Sequence, residues 1–220
     1  MSNYLKLFFV LSVVHLVSFF VGQEQITWYT KPLLLPCLFY ETKISSNFTT
    51  KKWLLSALFF SWVGDVILLF ADKGELYFIF GLISFLIAHI LFILLFIKQK
   101  KENPNSNLIW LGFVLVAAYL YGMLKLLFPS LGDLKIPVTI YAFTISTMLI
   151  MAIKGYFHWR KPNNLIILLG AIFFVSSDSI LAINKFHSAL PNSGFWIMTT
   201  YLLAQYLITT GILKLNADSK

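Results

Sequence analysis

The sequence predicts an all-α, polytopic membrane protein with about eight transmembrane helices. Composition points there first: 59% of the 220 residues are hydrophobic, only 12% are charged, and the mean hydropathy is +0.80. A soluble domain holds about 45–50% apolar and about 25% charged residues. Apolar runs long enough to cross a bilayer recur along the whole chain. The basic residues fall between those runs, in alternate loops.

A helix needs about 20 apolar residues to span the hydrocarbon layer. The first run, from near Tyr4 to Val21, lacks a strong basic flank, contains His15 and leads to no small-residue cleavage site. It is expected to stay as a helix rather than leave as a signal peptide. The second, near Thr27 to Tyr40, is short and interrupted by Lys31-Pro32 and Pro36. The third is Trp53 to Phe70, the fourth Leu76 to Ile97, and the fifth Leu108 to Phe128. The sixth runs from Pro137 to Ile153, the seventh from Leu165 to Asn184 and the eighth from Phe195 to Leu215. The short loops leave no room for a soluble domain, so residues 1–220 read as a single integral membrane domain.

The net charge of +8 would suit a nucleic-acid partner, but the lysines follow the loops instead of one face, and none is expected. One set of loops carries Lys6, then Lys43, Lys51 and Lys52, then Lys98, Lys100 and Lys101, then Lys154, Arg160 and Lys161, then Lys214 and Lys220. The other set carries Lys73, Lys135 and Lys185 in its loops, with Lys31 and Lys125 close to helix ends. The positive-inside rule then puts both termini in the cytoplasm, which requires an even number of spans. The sequon Asn47-Phe48-Thr49 falls on the cytoplasmic side of that arrangement. The lack of targeting tails fits a bacterial cytoplasmic (inner) membrane. Cys37 is the single cysteine, so no intrachain disulfide forms.

Two acids interrupt the apolar runs. Asp65 sits in Phe59–Phe70 and Asp178 in Phe173–Leu181. An aspartate at membrane depth costs about 2.5–3.5 kcal/mol on insertion scales, and such residues mark functional sites far more often than chance. Gly64 beside Asp65 permits close approach by a neighbouring helix. Ser176, Ser177 and Ser179 give Asp178 a more polar setting. The plain alternative for each is a structural carboxylate satisfied by hydroxyls.

The halves echo one another. One helix after Asp65 comes Phe85-Leu86-Ile87-Ala88-His89, and one helix after Asp178 comes Tyr201-Leu202-Leu203-Ala204-Gln205. A parallel four-plus-four repeat would put the two acidic helices in equivalent places. The expectation is one water-accessible pocket in which one carboxyl holds a proton while the other stays charged. His89 is a candidate ligand or proton carrier, whereas Gln205 cannot titrate. Lys31 opens the second helix, either as a snorkelling interfacial cation or facing a lipid phosphate or one of the aspartates. Tyr141 can donate a hydrogen bond into the same cavity. No spacing such as HExxH supports a metal, and no serine-hydrolase, P-loop or dinucleotide motif is present, so neither metal nor cofactor is expected.

These pieces, in order, resemble the YhhN family of membrane proteins. They are Lys31-Pro32, Gly64-Asp65, Phe78-x-x-Gly81-x-x-x-Phe85-x-x-Ala88-His89, Pro137-x-x-x-Tyr141, Ser177-Asp178-x-x-Leu181-Ala182 with Lys185-Phe186, and Tyr201-x-x-Ala204-Gln205. The resemblance implies eight spans and a lysoplasmalogenase-like hydrolase that cleaves the vinyl-ether bond of lysophospholipid substrates. Asp65 and Asp178 fall on its acid positions, with Lys31, His89, Tyr141, Ser177 and Gln205 in support. A proton-coupled transporter of a small or lipidic solute is the alternative reading. It wants Gly/Pro breaks in corresponding halves, and Pro32 and Pro36 have only Pro137 as a loose counterpart.

Overall fold

The computed structural model describes residues 2–23, 25–102 and 108–217, so Lys220 of the charge pattern lies outside the described residues. Among the described residues eight α-helices follow one another: α1 Asn3–Val21, α2 Gln25–Ile44, α3 Lys51–Leu68, α4 Glu75–Ile97, α5 Ile109–Leu127, α6 Lys135–His158, α7 Asn163–Phe186 and α8 Ser193–Ala217. No strand occurs among the described residues. Six of the eight (α1, α4, α5, α6, α7 and α8) are long and apolar enough to cross a membrane, and the chain is an integral membrane protein by that measure. The other two, α2 and α3, carry more charge: Lys31, Glu41 and Lys43 in α2, and Lys51, Lys52 and Asp65 in α3.

Two element lengths depart from the sequence reading. α2 is not short but runs for 20 residues, with both prolines inside it as expected. α6 continues five residues past Ile153 to His158. An apolar window closes at the first lysine, here Lys154. The helix itself ends only where Trp159 turns extended, with Pro162 following.

The chain divides into two compact units, one up to Leu95 and the other from Phe96. In the N-terminal unit, Ser2 caps α1 by accepting the Leu5 N–H, and Gly22, at φ 69°, ends it with its N–H on the Ser18 carbonyl. His15 and Thr30 join α1 to α2 over 2.7 Å. The Thr30 hydroxyl already gives its proton to the Ile26 carbonyl, so His15 Nδ1 is the donor and this histidine is a packing residue.

The prolines of α2 have a matching partner in α3. Pro36 has no N–H, so the Pro32 carbonyl loses its intrahelical bond. The Trp62 indole N–H of α3 donates to that carbonyl over 2.8 Å. A backbone acceptor shut away from water without such a substitute is costly. α4 closes on α3 through Ser84, whose hydroxyl donates to the Phe60 carbonyl over 2.6 Å. A Cβ on Gly64 would sit 2.7 Å from the Phe85 ring, which shows how near the two helices come.

In the C-terminal unit α7 and α8 form the tightest pair. A Cβ on Gly170 would lie 2.9 Å from the Ile208 backbone nitrogen, and one on Gly211 would lie 2.6 Å from Ile167. Glycines opposite branched side chains let the two axes approach. Leu127, Leu131 and Val138 form a small buried cluster against Ala182, Ile183 and Phe186 of α7. α7 is therefore the post around which this unit is built.

Candidate functional site

In the N-terminal unit the site is built on α3. Trp62 and Asp65 are one turn apart and share a face. The indole bond to Pro32 fixes the register of α2 against that face, so residue 31 comes alongside Asp65. Lys31 Nζ lies 3.7 Å from Asp65 Oδ1, with the carboxylate side chain only 3% exposed. Of the roles open to Lys31 in the sequence, the structure shows an ion pair with an aspartate. His89, also in this unit, is fully buried on α4.

In the C-terminal unit three consecutive residues of α7 reach three different helices. Ser177 donates to the Ile197 carbonyl of α8 over 3.0 Å. Asp178 accepts from the Tyr141 hydroxyl of α6, with Oδ2 at 2.7 Å. Ser179 meets the Tyr119 hydroxyl of α5 at 2.7 Å. Successive helical residues point about 100° apart, which is why one short run can address three neighbours. The Ser179 hydroxyl gives its proton to the Val175 carbonyl over 2.6 Å, so Tyr119 is the donor of the pair.

Beside this acid lies a cavity of about 790 Å³ bounded by α5, α6 and α7. Its walls are almost wholly apolar, and Tyr119 and Ser179 stand in its lining. Gln205 is fully buried on α8, and neither of its side-chain amide atoms has a hydrogen-bond partner among the described residues. Lys185 lies exposed at the end of α7.

Of the residues singled out in the sequence, Lys31 and Asp65 come together on one unit, and Tyr141 and Asp178 on the other. Ser177 bonds to backbone and joins helices, and His89 and Gln205 are buried in their own units. Tyr119 was missed. A signal for it exists: a tyrosine in the middle of an apolar span, away from either interface, needs a partner for its hydroxyl. Among the described residues no three His, Cys, Asp or Glu side chains gather where they could hold a metal.

The family description that matches is "YhhN family", over residues 26–212. That stretch covers most of the chain and contains both acids. The chain belongs to the YhhN family. Among relatives, human "Lysoplasmalogenase TMEM86A" is 33% identical over 69% of this chain and 61% of its own. A "Lysoplasmalogenase" of Mycobacterium tuberculosis is 32% identical over 73% of this chain and 60% of its own. Human "Lysoplasmalogenase TMEM86B" is 29% identical over 94% of this chain and 85% of its own. The chain thus spans about three fifths of the length of the first two relatives. No solved structure matches this YhhN chain.

Proposed function

We propose that this YhhN protein is a membrane hydrolase that cleaves the vinyl-ether bond of lysoplasmalogens, with Asp65 and Asp178 as its acid/base residues. The observation that carries the reading is kinship, at 28–33% identity, with proteins named lysoplasmalogenase. The chemistry suits a pair of carboxyl groups. Protonation of the vinyl ether at carbon gives an oxocarbenium ion. Water adds to it, and the resulting hemiacetal collapses to a fatty aldehyde and a glycerophospho-base. A neutral acid delivers the first proton, and a carboxylate stabilises the cation and orients water.

The partners of the two acids favour one division of roles. Asp65 has an ammonium beside it and is assigned the charged, stabilising part. Asp178 faces a neutral phenol and is assigned the proton donor. Tyr141 then holds the Asp178 carboxyl in one orientation, and no cofactor enters the scheme. The same reading takes α2 and α3 as spans, for eight crossings with both termini cytoplasmic in a bacterial inner membrane. Its support is the lysine-rich loops on one side. A parallel repeat of four helices belongs with it, on the recurrence of an acid at α3 and α7.

The test is aldehyde release by the purified protein from vinyl-ether, alkyl-ether and ester lysolipids side by side. Release from the vinyl-ether lipid alone is expected, falling at least about 100-fold in Asp65→Asn and in Asp178→Asn. Equal release from the ester lipid, or full activity in both variants, defeats the proposal.

A further inference from the structure

The cavity between α5, α6 and α7 is not used by the acid/base scheme above, and its walls are almost wholly apolar. It lies wholly inside the C-terminal unit. Along α7 its wall runs from Leu168 through Ile172 and Val175 to Ser179, at the i, i+4, i+7 and i+11 spacing of a single helix face. From Leu168 to Ser179 is eleven residues (179 − 168), about 16 Å at 1.5 Å per residue. The hydrocarbon layer of a bilayer is about 30 Å thick, so one leaflet's tail reaches about 15 Å. Groove and tail have the same length.

The groove also has a direction. At its Ser179 end the Tyr119 hydroxyl meets Ser179, whose chain neighbour is the Asp178 carboxyl held by Tyr141. Elsewhere the walls are apolar apart from Tyr156 near the opposite end, with Ser176 closed onto the Ile172 carbonyl of its own helix. A single-chain lipid with a polar head and one tail is the occupant with that pattern of polarity.

We propose that this groove binds the hydrocarbon tail of a lysolipid, ether end at Tyr119–Ser179 and tail tip at Leu168, and so sets a chain-length limit. The identity of the lipid rests on the hydrolase reading; the occupancy of the groove does not. Trp at position 172 would close the groove seven residues from Ser179, about 10 Å along, while Trp at 168 would close only its far end. Both substitutions fill a cavity open toward the lipid phase, and Ile172 is already 43% exposed.

The experiment uses a non-hydrolysable alkyl-ether lysophosphatidylcholine whose tail ends in a diazirine. In nanodiscs, photolysis should label the far end of the groove, around Leu111 and Leu168. A ten-fold excess of long-tailed lysolipid should suppress labelling, while a short-tailed one should not. Ile172→Trp should remove that labelling, and Leu168→Trp should move it toward Ser179. In parallel, hydrolysis by Ile172→Trp should fall at least ten-fold for long tails and less than two-fold for short ones. Labelling outside the groove, or labelling indifferent to lysolipid and to Ile172→Trp, overturns the proposal, because bulk lipid then fills the space. Wild-type protein that labels as expected yet releases no aldehyde keeps the groove and removes the hydrolase reading instead.

Discussion

The Tyr141 hydroxyl of α6 points at Asp178 Oδ2 of α7 from 2.7 Å, a phenol aimed at a carboxyl within the apolar stretch of both helices. A hydrogen bond to a charged or charging group contributes about 1.5–3 kcal/mol. Tyr141→Phe should therefore slow aldehyde release about 10- to 100-fold. The loss should fall on kcat, with KM within about two-fold, because the contact positions a carboxyl rather than the lipid. Added to Asp178→Asn, it should cost almost nothing more, a coupling that steady-state kinetics on the four variants would read out.

Lys31 and Asp65 make a second pair, 3.7 Å apart with little water around the carboxylate. Removing the cation takes the opposite charge away from a buried carboxylate, and breaking a buried pair in this way costs about 3–5 kcal/mol where it has been measured in other proteins. Lys31→Met should lower the melting temperature in detergent, and Lys31→Met combined with Asp65→Asn should recover most of the loss. A double variant less stable than Lys31→Met would argue against an ion pair.

Trp62 replaces the backbone donor that Pro36 cannot supply to Pro32. Trp62→Phe leaves that carbonyl unsatisfied, at about 1–3 kcal/mol. With Pro36→Ala in place, the new N–H at position 36 can take over. The same Trp62→Phe change should then cost clearly less, as thermal melts of the four-variant cycle would show.

Two glycines should respond in opposite ways to alanine. Gly170→Ala would drive a methyl against the Ile208 backbone, which cannot rotate aside, and should destabilise by about 1–3 kcal/mol. Gly122 on α5 has nothing within 4 Å of a new Cβ. Gly122→Ala should be neutral or slightly stabilising, since alanine is the better helix former. Denaturation of both variants in one detergent checks the contrast.

The helices were legible because twenty-odd apolar residues between charged loops admit few other structures. Where the reading slipped, it had equated the apolar window with the helix. α6 runs on past Lys154, and α2 extends beyond Thr27 and Tyr40 at both ends, because helix ends follow backbone chemistry and not hydropathy. The acids were legible too, since a carboxylate in such a run is conspicuous. Their partners were less so. Lys31 could have faced lipid or acid, and only the Trp62–Pro32 bond, invisible in one dimension, sets the register that decides it. Tyr119 escaped because one more aromatic in a Leu-rich helix that also carries Trp110, Phe113 and Tyr121 looks like filler until its hydroxyl is asked to find a mate.

Asp178 and Ser179 are bolted side by side to one stiff rod, each clasped by a tyrosine from a different flank. Turning that rod disturbs both clasps together. Evolution adjusting the tail slot through position 179 would be felt at the neighbouring carboxyl, and substrate range and turnover would drift as one trait.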